Sequence, residues 1–345
     1  MITPATAGYG ADQAGLICGY WFDPQTGARS LGADDAAAAL AAIPTEDDAG
    51  LAEDTSFAWL HFDLSHTAAE PWLRRHARLD DSFFDALQDS LHSTRIERAK
   101  QSLIAVINDV HFDFDFEPSD IATLWISVDR HLVVTARRRP LRSIDHLRKA
   151  VKRGDPFAST AELLEHLLRA QADVLVEIVR SVTLRIDKIE DKLLGGRLDH
   201  KRVRLGELRR LLVRLQRLLA PEPAALFRLL QHPPMWLIEI QVQALRQATE
   251  EFSAVVRDMS TLQERIKLLQ EEIAASVNEG NGRSLYLLTI VTVLALPINI
   301  TAGFFGMNVG GVPLADNPRG FWVVVAMVVI FTSIAAVMAF RNRDP

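Results

Sequence analysis

Apolar and polar positions follow three successive rhythms along the chain. Up to about residue 150, short apolar runs at 57–62, 103–110, 121–128 and 132–135 are bounded by turn-forming and charged residues, the signature of strands. Between them, segments 34–42, 69–76, 80–89 and 144–151 repeat their apolar residues at helical spacing, with Ser65 or Thr67 placed to cap the second. This first part reads as an α/β domain. From 159 to 194 the chain has no proline or glycine and repeats Leu, Val and Ile at helical spacing, which predicts one long amphipathic helix capped by Thr160 and ended by Gly195-Gly196. A second helix over 199–220 stops where Pro221 and Pro223 break the pattern, so the two form a helical hairpin. After Pro233-Pro234 no proline occurs until Pro297. In that stretch Leu245, Ala248, Phe252, Val255, Met259, Leu262, Ile266, Leu269 and Ile273 step by three and four, a heptad seam that needs partner helices.

The third rhythm is continuous apolarity. Residues 284–305 form a run of 22 without a charge, about 33 Å at the ~1.5 Å helical rise and long enough to span a bilayer. Residues 320–340 form a second charge-free run, rich in Val, Ala and Met and closed by Arg341. Only Gly280 and Gly282 interrupt the path from the heptad seam into the first run, so the stalk helix is expected to continue straight into the membrane. The expected fold class is α+β with a membrane part. Its order is an α/β domain at 1–155, a helical hairpin at 156–232, a stalk helix at 233–283, a first transmembrane helix at 284–305, a loop at 306–319, a second transmembrane helix at 320–340 and a short tail at 341–345.

Charge sets the orientation. Arg265, Lys267 and Arg283 precede the first span, Arg341 and Arg343 follow the second, and the loop carries only Arg319, so both termini are expected in the cytoplasm and the loop outside. Residues 1–28 carry no Lys or Arg and no sustained apolar core, which does not resemble a signal peptide. The single cysteine, Cys18, excludes an intrachain disulfide and suits a reducing compartment.

Two helices from one chain cannot enclose a water-filled path, whereas several copies around an axis can, one helix from each lining it. The first span is the better liner because it holds most of the polar atoms. Counting back from Asn308 at helical spacing, in steps of three to five and a last one of seven, gives Gly303, Asn299, Leu296, Thr292, Leu288, Leu285, Asn281, Asn278 and Glu271. The alternative for Thr292, Asn299 and Thr301 is that they bond neighbouring helices. A ring of Asn308 amide oxygens offers neutral hard ligands, which do not repay full dehydration of a divalent ion. Such an ion is expected to pass with much of its water.

Other patterns change the picture less. His111, Asp113, Asp115 and Glu117 would share one face of a strand opposite three phenylalanines, either as a solvated acidic face or as a cytoplasmic metal site. Between Arg197 and Arg217 eight Lys or Arg stand against two acids, but leucines at helical spacing make this an amphipathic helix with a basic side rather than a nucleic-acid site. Its Arg197, Lys201 and Arg202 are candidates for contact with anionic lipid headgroups. No phosphate-binding glycine loop, G-x-S-x-G or H-E-x-x-H pattern is present, so neither ATP-driven transport nor an enzyme is indicated, and no cofactor is expected.

The G-M-N sequence at Gly306, Met307 and Asn308, placed between two C-terminal spans after a stalk helix and an α/β domain, resembles the CorA family of divalent metal ion transporters over essentially the whole chain. The continuation Val309-Gly310-Gly311-Val312-Pro313 and the Arg-Leu-rich run 208–221 look more like the ZntB zinc transporter branch than the magnesium channels. The resemblance implies a funnel-shaped homopentamer in the bacterial inner membrane, with helix 235–305 lining the pore and Gly306, Met307 and Asn308 as the selectivity filter at a periplasmic entrance. It also implies zinc uptake, proton-coupled or not. The runner-up is a magnesium, cobalt or nickel channel of the same architecture, and a membrane-tethered cytoplasmic sensor is the third reading. Two departures bear on the choice: Phe305 stands where the family usually has tyrosine, and after the motif only Asp316 is acidic. A less negative mouth concentrates cations weakly. Between Arg283 and Asp316 there is no Asp, Glu, His, Lys or Arg to relay a proton.

Overall fold

The structure, a computed structural model, describes residues 10–43, 56–89, 94–115, 120–194, 201–307, 313 and 317–341. The first strands, β1 (Leu16–Asp23) and β2 (Gly27–Leu31), form a hairpin turned by Gly27 at φ 78°. Helix α1 (Ala33–Ala42) leads to β3 (Phe57–Asp63), followed by α2 (Ala69–His76) and α3 (Asp81–Gln88). A meander of β4 (Arg95–Ala99), β5 (Ser102–Val110), β6 (Ile121–Val128) and β7 (Leu132–Arg137) then precedes α4 (Arg142–Arg153). The seven strands make one sheet in the order β2-β1-β3-β7-β6-β5-β4. Only β3 and β7 pair in parallel. They are the sheet's centre, and both faces are covered, which is why six successive residues of β3 are buried rather than every second one.

Three strands escaped the hydrophobic pattern for physical reasons. β2 has four of its five residues exposed and β4 is the charged sequence Arg-Ile-Glu-Arg-Ala; both are sheet edges, where apolar side chains are not needed. β1 carries Gly19, whose added Cβ would stand 2.9 Å from the Leu31 carbonyl oxygen, so close pairing with β2 requires glycine there. The expected strand continuing through His111 is also not formed. β5 ends at Val110, His111 makes one isolated bridge to Leu141, and Phe112 donates its backbone N–H to Pro140 O at 3.0 Å as the chain turns.

Caps differ from expectation by a residue or more. Helix α2 has Ala68 at its N-cap with no side-chain bond, while Ser65 Oγ donates instead to Arg138 O at 3.1 Å. Helix α5 (Thr160–Leu194) is capped by Ser159, whose Oγ accepts from Glu162 N at 3.2 Å while the Glu162 carboxylate accepts from Ala158 N at 2.7 Å, a reciprocal pair. Helix α6 (Lys201–Leu219) ends just before the two prolines as expected, and the same prolines open a further helix. In α7 (Pro221–Leu229) Pro221 occupies the first turn, where its missing N–H costs nothing.

Helix α8 (Glu239–Phe305) is a single helix of 67 residues, and α9 (Gly320–Arg341) has 22. All nine seam positions from Leu245 to Ile273 are buried. The chain divides into two compact units after Leu268. Within the first, α8 is tied to the hairpin by polar bonds: Gln263 Nε2 donates to Gln216 Oε1 at 2.7 Å, and Arg265 reaches Asp187 at 2.7 Å and chelates Glu190 through Nε at 3.0 Å and Nη2. These three charged side chains are each 30–44% exposed, so Arg265→Ala is expected to cost about 1 kcal/mol in denaturant unfolding, most of it gone at 1 M salt. An undiminished loss at high salt would show that packing of the Arg265 stem, not charge, holds the joint.

Candidate functional site

Within the second unit, among the described residues, the C-terminal part of α8 is the one helical segment whose length and apolarity meet the requirement for crossing a membrane, and α9 adds a shorter apolar stretch, Gly320–Ile334. At about 100° per residue, Glu271, Asn278, Asn281, Leu285, Leu288, Thr292, Leu296, Asn299 and Gly303 all fall within an arc of roughly 100° on α8. Every one of them is exposed. The opposite side of the same helix is where α9 lies: a groove of about 550 Å³ is lined by Ile298, Thr301, Ala302 and Phe305 from α8 and by Phe321, Val324, Val325 and Val328 from α9. The arc that carries Asn278, Asn281, Thr292, Asn299 and Gly303 therefore points away from the side that borders α9.

The hydroxyls on this segment turn back into their own helix. Thr292 Oγ1 donates to Leu288 O at 2.8 Å and Thr301 Oγ1 to Pro297 O at 2.8 Å, so each presents only its lone pairs outward. Pro297 sits inside the helix and has no N–H to donate one turn back. The helix ends as Gly306 N donates to Ala302 O at 2.9 Å; a Cβ on Gly306 would lie 2.8 Å from that same oxygen, so the turn into the motif requires glycine. Met307 is exposed just beyond. Asn308, with Val309, Gly310, Gly311, Val312 and Asp316, lies outside the described residues, as does Glu117 of the acidic segment.

Of that acidic segment the described residues are His111, Asp113 and Asp115: Asp113 N donates to His111 Nδ1 at 3.3 Å, Asp115 N donates to Asp120 Oδ2 at 2.9 Å, and among the described residues no three His, Cys, Asp or Glu gather as metal ligands. The buried polar chemistry lies elsewhere, at residues hidden in apolar sequence. Asp109 in β5 accepts from Val110 N at 2.7 Å and from both N and Oγ of Ser143 on α4. Burial outweighs these bonds and pushes its pKa up to about 6. Glu222 in α7 is wholly buried, and burial holds its carboxyl well above the usual carboxylate range. The sequence clue to both was polarity out of place: Asn108-Asp109 inside Leu-Ile-Ala-Val-Ile-Asn-Asp-Val, and Glu222 between two prolines.

A pH dependence follows from Asp109. Free aspartate titrates near 3.8, so between there and about 6 the folded chain keeps a proton the unfolded chain has lost. The group's full stability is present below pH 3.8 and is lost as pH rises through about 6, a decline of about 2–3 kcal/mol. Asp109→Asn is expected to remove this decline, read as the difference between wild-type and variant unfolding free energies from pH 4 to 7. A difference flat across that range would exclude it.

Residues 54–341 match the protein family described as CorA-like Mg2+ transporter protein. Among curated proteins, the divalent cation transporter CmaX of Pseudomonas aeruginosa is 27% identical over 319 residues, covering 92% of this chain and 93% of its own. The zinc transport protein ZntB of Pectobacterium atrosepticum is 24% identical over 285 residues, 83% of this chain and 87% of its own. Among solved structures, full-length CmaX superposes with a TM-score of 0.77 at 26% identity, over 95% of this chain and 99% of that one. The complete CorA magnesium transporter of Methanocaldococcus jannaschii shares the fold, with a TM-score of 0.75 at 20% identity over 94% of this chain and 98% of its own.

Proposed function

The chain belongs to the CorA-like Mg2+ transporter family, and as a divalent-cation transporter of that family we propose that it takes up zinc across a bacterial inner membrane through a pore lined by α8 of several copies. The observation that carries the pore is that Asn278, Asn281, Thr292, Asn299 and Gly303 share one exposed arc of α8, away from the side that lines a groove with α9. A single chain gives such a face nothing to enclose; a cyclic homopentamer turns it into the wall of an aqueous path, with α9 toward lipid. The Gly306, Met307 and Asn308 motif then stands at the periplasmic mouth, both termini are cytoplasmic, and Asn308 selects by hydrogen-bonding the hydrated ion.

Zinc is favoured over magnesium by the loop's charge. From Phe305 to Pro318 the only acid is Asp316, and a mouth this weakly negative gathers a strongly hydrated dication poorly. ZntB relatives along most of the chain point the same way, while CmaX is named only for divalent cations. A competition assay decides: purified protein in liposomes loaded with metal-sensitive dyes should carry zinc faster than magnesium, cobalt or nickel. Faster magnesium entry would move the chain to the magnesium-channel reading, and no flux of any metal would leave a tethered sensor. Proton coupling has no charged or imidazole relay between Arg283 and Asp316, so zinc influx is expected to be indifferent to an imposed pH gradient.

A further inference from the structure

Between Arg283 and Arg341 the chain carries a single Lys or Arg, Arg319, and it stands directly before α9. Its backbone N–H donates to Asn317 Oδ1 at 3.0 Å, which fixes the turn into the helix, and its side chain is exposed. Beyond it Val323, Ala326, Ile330 and Ile334 follow in steps of four and three, so these residues and Arg319 form one stripe along α9. The stripe lines a groove of about 980 Å³, in which Trp322 and Met327 flank Ala326, its smallest side chain. Trp322, Met327, Ile330 and Ile334 are each more than half exposed. At about 100° per residue the stripe lies roughly half a turn away from Phe321, Val324, Val325 and Val328, the side of α9 that borders α8.

A lone cation at the end of a long apolar groove fits an amphiphile with an anionic head. We propose that α9 holds an anionic phospholipid of the periplasmic leaflet, its phosphate on the Arg319 guanidinium and one acyl chain along Val323, Ala326, Ile330 and Ile334. The inference deepens the pore reading and rests on it: with α8 toward the axis and α9 behind, the side of α9 opposite α8 faces lipid. Dimensions agree. Ile334 is fifteen residues beyond Arg319, about 22 Å at the helical rise, and one leaflet of a ~30 Å hydrocarbon core is about 15 Å deep. A chain descending from the headgroup level therefore meets apolar side chains all the way. The guanidinium takes phosphate oxygens two at a time and keeps its charge at any working pH, and Trp322, just inside α9, suits the boundary between headgroup and chain. A second copy seated in the groove serves Arg319 worse, since residues 284–305 and 320–340 of that copy hold no carboxylate to meet it.

Trp322 makes the groove directly readable, because the other five tryptophans, Trp21, Trp59, Trp72, Trp125 and Trp236, all lie in the first unit. Full-length protein is reconstituted in phosphatidylcholine vesicles containing the same mole fraction of either brominated phosphatidylglycerol or brominated phosphatidylcholine, and quenching of tryptophan fluorescence is compared. Phosphatidylglycerol is expected to occupy the groove about fivefold more often than phosphatidylcholine, the enrichment one cation near an anionic headgroup gives. The preference should shrink at about 1 M salt, a measurement on the wild type that decides alone if a variant fails to fold. Arg319→Gln should make the two lipids quench equally, and Trp322→Phe should remove the difference between them. Equal quenching in the wild type, a preference untouched by salt, an undiminished preference in Arg319→Gln, or one that persists in Trp322→Phe overturns the site while α9 still faces lipid. No quenching by either lipid puts protein over the groove, and then the outward position of α9, and the pore arrangement with it, fails as well.

Discussion

Asn308→Ala is expected to cut zinc flux into liposomes about tenfold or more, with little change in assembly or in the folding of the first unit. The reason is arithmetic around a ring. Each amide lost removes a hydrogen bond to the ion's water shell worth about 1 kcal/mol, and every subunit loses one, while about 1.4 kcal/mol on the barrier already amounts to a factor of ten. Asn308→Asp separates chemistry from space: it keeps an oxygen in place and adds a ring of negative charge, so entry at low metal concentration should rise and become steeply salt-dependent while discrimination among divalent ions falls. Flux by the alanine variant equal to wild type would remove Asn308 from the entrance and return the motif to a purely structural turn, in which Gly306 is the residue the backbone requires.

The parts of the fold legible in the sequence were those whose burial is one-sided or complete. β6 was placed to the residue because both its ends abut turn-forming residues, and the α8 seam was readable because a helix buried along one stripe repeats it. Elements at edges were not legible: β2 and β4 bury little, so nothing apolar marks them. Pro221 and Pro223 marked the end of α6 correctly but hid the helix they open, since proline stops one helix and suits the first turn of the next. That the amides and glycines of α8 share one exposed arc was legible from spacing, because such residues in an apolar run are costly unless they face something. Asp109, Gln171 and Glu222 were not, because what makes them notable is convergence of β5, α5 and α7 across the sequence. The acidic His111 segment shows the reverse error: period-two alternation is necessary for a strand, but without a partner strand its backbone turned to Pro140 and Asp120 instead.

The second large effect lies at the centre of the sheet. Trp59 is fully buried in β3, stacked on Tyr20 with ring centroids 5.7 Å apart, and its Nε1 donates to Thr135 Oγ1 at 2.9 Å. The same hydroxyl meets His61 Nδ1 at 2.8 Å, and Arg137 Nε donates to His61 Nε2 at 3.1 Å. Since Nε2 accepts, the proton of neutral His61 sits on Nδ1 and is donated to Thr135, whose own hydrogen turns to Leu60 O. Burial and the neighbouring Arg137 hold the His61 pKa well below its ordinary value, consistent with that neutral tautomer. Trp59→Ala therefore opens a large cavity between β1 and β7 and takes one of the two donors from Thr135. A loss of about 3–5 kcal/mol is expected in denaturant unfolding followed by circular dichroism. Trp59→Phe keeps much of the ring volume and loses the indole N–H, so it should cost roughly 1–2 kcal/mol, the share owed to the hydrogen bond and the missing ring edge. If the two variants lost the same amount, the hydrogen-bonded chain through Thr135 and His61, and not packing on Tyr20, would be what holds the parallel centre of the sheet together.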